Sequence, residues 1–141
     1  SVVKGGYGNL PEESLYPAAL FDSEGNLLNG SKHYRLHFPA GQLPPVNGFW
    51  SLSVYTLPKM TMVENEIQRY SIGDRTKGIL YNKDGSLTIL LQHENPVDET
   101  VNWLPTPAGN FAAIMRLYEP AQAALDNSYL LPRIAEITVK D

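Results

Sequence analysis

Proline and glycine cut this chain into short apolar runs, and that spacing favours strands over long helices. There are 11 of each in 141 residues. The stretch FPAGQLPPVNGFWSLSVY, residues 38–55, shows the pattern in miniature. A proline- and glycine-rich loop runs straight into an alternating aromatic strand.

The alternation extends along the chain. In HYRLHF, Tyr34, Leu36 and Phe38 share one face while His33, Arg35 and His37 share the other, as in a strand buried on one side. In residues 49–55, Trp50, Leu52 and Val54 form the better core face, opposite Phe49, Ser51, Ser53 and Tyr55. Residues 111–118 place Phe111, Ala113, Met115 and Leu117 on one side, and Ile114, Arg116 and Tyr118 on the other. IAEITV supplies a last strand.

Two hairpins are expected. AALFDSEGNLL would turn at Asp22-Ser23-Glu24-Gly25-Asn26, with Gly25 supplying a positive φ. YNKDGSLTILLQH would turn at Asp84-Gly85, with Leu87, Ile89 and Leu91 alternating after it. Helical turns are predicted in NLPEESLY, capped by Asn9, and in PAQAALDN, with Pro120 at its first position and Asn127 near its end. The segment TLPKMTMVENEIQRYSIGDRTKG reads as a loop with one short helical turn. Seven or eight short strands, without βαβ alternation, repeat or linker, predict one all-β domain over residues 1–141: an antiparallel, jelly-roll-like sandwich.

Composition narrows the function classes. A net charge of -4 and 11 scattered basic residues argue against a nucleic-acid surface. The absence of cysteine excludes disulfides, zinc-thiolate centres, iron–sulfur clusters and thiol nucleophiles. No apolar run approaches the ~20 residues that span a bilayer, so no membrane insertion is expected. No signal peptide is visible, and a chain that starts at Ser1 reads as a mature form or a fragment.

The ordered motifs are more specific than any of these properties. They are Tyr34-x-Leu36-x-Phe38-Pro39, Pro44-Pro45-x-x-x-Phe49-Trp50-Ser51-Leu52-x-x-Tyr55, Asn65, and Arg69-Tyr70-Ser71-Ile72-Gly73. Asp84-Gly85-Ser86-Leu87, Asn102-Trp103-Leu104-Pro105 and Arg116-Leu117-Tyr118-x-Pro120 follow. Together they resemble the bacterial family known as domain of unknown function 1214, over residues 16 to 137. The resemblance implies a jelly-roll-like sandwich, commonly the C-terminal half of a longer protein that also carries domain of unknown function 1254. It also implies a periplasmic or secreted setting, and it implies no reaction. The chain departs from the family in lacking that neighbour, and in lacking a Gly-Trp pair near residues 125–129.

Catalytic and metal constellations are weak in this sequence. His33 and His37 lie four apart on a strand, about 13 Å at ~3.3 Å per residue, too far to share one ion. His93 could join either only through the fold, so no metal and no cofactor is expected. No GxSxG elbow accompanies Ser51, Ser53 or Ser71. Glu64/Glu66 and Asp98/Glu99 read as solvated loop charges, and Gly5-Gly6-Tyr7-Gly8 lacks the surroundings of a phosphate loop.

The ligand-binding candidates are Trp50, Asn65, Arg69, Tyr70, Asn102, Trp103, Arg116 and Tyr118. One reading makes them architectural: Asn satisfying loop backbone, Arg on aromatic faces, Trp-Leu-Pro packing a corner. The other makes them a cleft with aromatic walls and Asn/Arg hydrogen bonding, open to a small or carbohydrate-like molecule. Arg116 stands out, because a partly covered guanidinium calls for a carboxylate or an anionic ligand. The missing catalytic constellation favours a non-catalytic binding or assembly module with a protein partner or a second copy. An enzyme domain and the structural half of a larger protein are the alternatives.

Overall fold

The computed structural model describes residues 7–9, 14–126 and 128–138. Nine strands and one short helix appear among them: β1 (Tyr7–Asn9), β2 (Ser14–Ala19), β3 (His33–Phe38), β4 (Val46–Thr56), β5 (Ser71–Gly73), β6 (Leu87–Gln92), β7 (Asn102–Pro105), β8 (Phe111–Pro120), α1 (Gln122–Leu125) and β9 (Ala135–Ile137). They form a five-stranded sheet, β1-β2-β8-β4-β5, and a four-stranded sheet, β7-β6-β3-β9. The chain crosses repeatedly between the two sheets, giving the jelly-roll-like sandwich its alternation predicts. Pairing is antiparallel except for β6 with β7.

The core lies where the alternating faces meet. Tyr34, Leu36, Phe38, Leu87, Ile89, Leu91 and Leu104 from the smaller sheet pack against Trp50, Leu52, Val54, Ile72, Phe111, Ala113, Met115 and Leu117 from the larger. Two aromatic pairs span the layers. Tyr34 meets Phe111 edge-on at 5.8 Å, and Phe38 meets Trp50 at 5.6 Å. Such pairs contribute about 1 kcal/mol beyond their buried area. The Tyr34 hydroxyl, inside this core, accepts the Asn29 N–H at 3.0 Å, so its polar tip is satisfied.

Several local expectations change. Asn9 and residues 14–16 are strand, not a helical turn, and residues 10–13 lie outside the described residues. Residues 57–78 contain β5 and turns, with no helix. The Asp84-Gly85 turn forms, with Gly85 at φ 89, but the residues before it are not strand. β6 pairs instead with β3 and β7. Pro120 ends β8 rather than starting the helix, which begins at Gln122; Asn127 lies outside the described residues. Proline is tolerated at a strand end, where no ladder donor is required. The Phe21–Leu27 hairpin forms as predicted, with Gly25 at φ 85.

A register shift between Val46 and Phe49 bends β4 against β8. Gly48 sits at this bulge because a Cβ there would lie 2.7 Å from the Tyr118 carbonyl oxygen. Glu119, across from it, takes a left-handed φ of 53°. Beyond the bulge, Phe49 pairs with Tyr118, Ser51 with Arg116 and Ser53 with Ile114. That register fixes the outer face of the larger sheet.

Candidate functional site

The eight candidates from the sequence divide into three groups. Asn65, Arg69 and Trp103 form one continuous latch. The Asn65 side chain donates to the carbonyls of Val63 and Arg69 and accepts the Arg69 N–H at 2.9 Å. Arg69 Nη1 donates onward to the Trp103 carbonyl at 3.0 Å, tying the loop to β7. Trp103 is buried, and its Nε1 donates to the Gln92 carbonyl at 2.8 Å.

Asn102, next in sequence, makes a separate clamp. Its Nδ2 donates to the carbonyls of Leu80 and Thr88, and its Oδ1 accepts the Leu80 N–H. A side-chain amide offers at most two donors and one acceptor oxygen, so these bonds engage both ends of the group. Tyr70 is half-buried at the entrance to β5.

The third group belongs to the five-stranded sheet. Trp50 is on its inner face, buried in the core. Arg116 and Tyr118 are half-buried on its outer face. Arg116 Nη2 donates to the Tyr55 hydroxyl at 2.9 Å and Nη1 to the Ser53 hydroxyl at 3.2 Å, with the guanidinium 5.5 Å from the Tyr55 ring centre. Tyr118 stacks on Phe49 with ring centres 4.4 Å apart and planes inclined by 23°. The Arg75 guanidinium lies 4.2 Å above the centre of the same Phe49 ring.

Arg75, Phe49 and Tyr55 were not among the eight. Strand alternation places Phe49 and Tyr55 opposite the core face, and that was the available signal. Arg75 sits in an irregular segment, where nothing local announces its neighbour 26 positions earlier (75 minus 49).

Two of the surface depressions are lined by charged or aromatic side chains. One of ≈ 480 Å³ runs along Ser31, Lys32, His33, Glu94 and Glu136. Its charges pair internally: Lys32 with Glu136 at 3.6 Å, and His33, when protonated, with Glu94 at 3.6 Å. The other, of ≈ 200 Å³, is lined by Phe49, Trp50, Ser51, Ser71, Gly73, Arg75 and Thr76 at the β5 edge. β5 approaches β4 closely at Gly73, where a Cβ would lie 2.2 Å from the Trp50 carbonyl oxygen.

The histidines stay apart in role. His37 Nδ1 bonds the Thr88 hydroxyl, and His93 Nδ1 donates to the Thr106 carbonyl. Among the described residues no three His, Cys, Asp or Glu gather as a metal site, and no helix is long and apolar enough to cross a membrane.

The sequence pattern of the family described as Protein of unknown function (DUF1214) matches residues 13–122. The crystal structure of the VPA0106 protein from Vibrio parahaemolyticus is similar at 34% identity and a TM-score of 0.79, over 95% of this chain and 33% of that one. An uncharacterized protein from Burkholderia cenocepacia shares the fold at 16% identity and a TM-score of 0.63, over 93% of this chain and 31% of that one. The chain therefore spans about a third of the length of each. No curated protein matches it.

Proposed function

This chain belongs to the DUF1214 family, and we propose that it acts as a single β-sandwich domain with a non-catalytic binding or assembly role, its contact surface being the outer face of the five-stranded sheet. The observation that carries this reading is the strip Arg75–Phe49–Tyr118, continued by Arg116 and Tyr55. A sheet face turned to water ordinarily carries scattered polar side chains. Stacked Phe, Tyr and Arg are the residue types that concentrate at the centres of protein interfaces. Asn65 and Asn102, by contrast, spend their amide groups on the fold itself, and Arg69 anchors its loop to the Trp103 carbonyl.

The longer relatives support the same reading. In each, the matched part is about one third of the chain, so those proteins carry further polypeptide that such a face would have available to contact.

Two measurements test it: analytical ultracentrifugation of the full 141-residue chain over a wide concentration range, and hydroxyl-radical footprinting of the equivalent side chains in a longer relative. Self-association weakened by Phe49→Ser, or protection of the outer-face side chains of β4 and β8 within the longer protein, is the expected result. A strictly monomeric chain, together with no added protection in the relative, would overturn the proposal.

A further inference from the structure

We propose that Arg75 is the carboxylate-recognising anchor of this outer face and takes an acidic side chain from a partner polypeptide; the inference rests on the binding-module reading. The Arg75 guanidinium carbon lies 4.2 Å over the centre of the Phe49 ring, which restrains the side chain against the sheet, and Phe49 is itself stacked with Tyr118. A ring contact uses up no hydrogen-bond donor, so it leaves the guanidinium N–H groups available. Those are the groups that fit the two oxygens of a carboxylate. Holding the side chain in advance also lowers the entropy lost on binding.

No carboxylate of the described residues occupies that position. The ion pairs described are Lys32–Glu136 and His33–Glu94, and neither involves Arg75. The adjacent Asp74 is turned toward β4, where its Oδ1 accepts the Trp50 N–H at 3.1 Å.

The surroundings add donors. Ser51, Ser71 and Thr76 line the depression beside Arg75. Thr76 Oγ1 accepts the Gly73 N–H at 2.7 Å, which leaves its hydroxyl hydrogen to donate elsewhere. Size selects the source of the carboxylate. At ≈ 200 Å³ the depression is smaller than the roughly 300–1,000 Å³ of sites that enclose a whole small molecule. It accommodates one functional group whose remainder extends over the sheet. A chain with net charge -4 repels acidic partners at long range, so recognition here depends on this short-range, oriented contact.

The test is a titration of isotope-labelled full chain with two blocked serine-rich peptides, one containing a single Glu and the other Gln in its place, followed by amide NMR. The Glu peptide should shift Ser51, Ser71, Gly73 and Thr76 and bind about tenfold more tightly than the Gln peptide. Arg75→Gln should erase that ratio while lowering the melting temperature only by the few degrees that loss of one exposed ring contact entails, and Arg75→Lys should lose most of the ratio. Equal affinity for the two peptides, or an unchanged ratio in Arg75→Gln, overturns the proposal. Sodium acetate binding as tightly as the Glu peptide overturns the partner-borne source. A failed ratio alongside persistent protection of β4 and β8 removes Arg75 alone, whereas loss of both removes the binding face.

Discussion

Asn102 clamps Leu80 through the two peptide groups that flank it: its Nδ2 donates to the Leu80 carbonyl at 2.7 Å, and its Oδ1 accepts the Leu80 N–H at 2.8 Å. The pairing copies, with one side chain, the two-way exchange between facing residues of an antiparallel ladder. It explains why residues 79–82 lie against the sheet without becoming a strand. A third bond, to the Thr88 carbonyl at 2.9 Å, ties the same amide to β6.

Asn102→Ala should therefore cost about 1–2 kcal/mol, since it removes three hydrogen bonds made by a buried amide to part-buried backbone groups of Leu80 and Thr88. Asn102→Asp should cost at least as much, because a carboxylate oxygen would face two carbonyl oxygens. Urea unfolding followed by tryptophan fluorescence measures both. A loss below about 1 kcal/mol in both variants would show that the clamp is dispensable.

The parts of this fold legible in the sequence are those in which a residue's neighbours along the chain decide its role. HYRLHF alternates, and β3 buries Tyr34, Leu36 and Phe38 while exposing Arg35 and His37. Trp50 faces the core and Arg116 faces away, as the period of two requires. The rest depends on distant partners. Asn102 reads as a turn residue until Leu80, 22 positions away, is seen against it. Arg69 gives no local sign of Trp103, 34 positions on. The parallel β6–β7 pairing arises from the doubling back of residues 93–101, which no hydrophobic period records.

Arg116 and Tyr55 should prove energetically coupled. Arg116 Nη2 donates to the Tyr55 hydroxyl at 2.9 Å, and Nη1 reaches the hydroxyl of buried Ser53. Tyr55→Phe should cost about 1 kcal/mol, and Arg116→Lys about 1–2 kcal/mol, because an ammonium cannot span both acceptors. A double-mutant cycle by chemical denaturation should show the two losses to be less than additive. Strict additivity would mean that the contact contributes nothing.

Val97 occupies left-handed backbone at φ 64° with 84% of its surface exposed. A β-branched side chain is disfavoured there, and exposure offers it no compensating burial. Its N–H is already held by Asn95 Oδ1 at 2.7 Å, so the loop shape does not depend on the valine side chain. Val97→Asn should raise stability by about 1 kcal/mol, since Asn tolerates this region. Thermal unfolding decides it, and an unchanged or lower melting temperature contradicts the strain assigned to this position.

Acid should weaken the fold through Asp22. The backbone N–H of Asn26 lowers its pKa most, burial opposes the shift, and the Glu24 N–H adds to the lowering. A carboxylate held below its ordinary value of 3.8 contributes stability that is fully present above that value. The contribution fades as pH falls through the folded-state pKa. Asp84, Asp98 and Asp126 shift the same way, each chiefly through the neighbouring hydroxyl of Ser86, Thr100 or Ser128. Melting temperature should accordingly hold from about pH 6 to about pH 4 and then drop toward about pH 2. In Asp22→Asn the side-chain oxygen can still accept the two N–H groups but carries no charge, so the variant's deficit should narrow as the pH falls. A deficit constant from neutral to acid pH would assign the role of Asp22 to shape rather than charge.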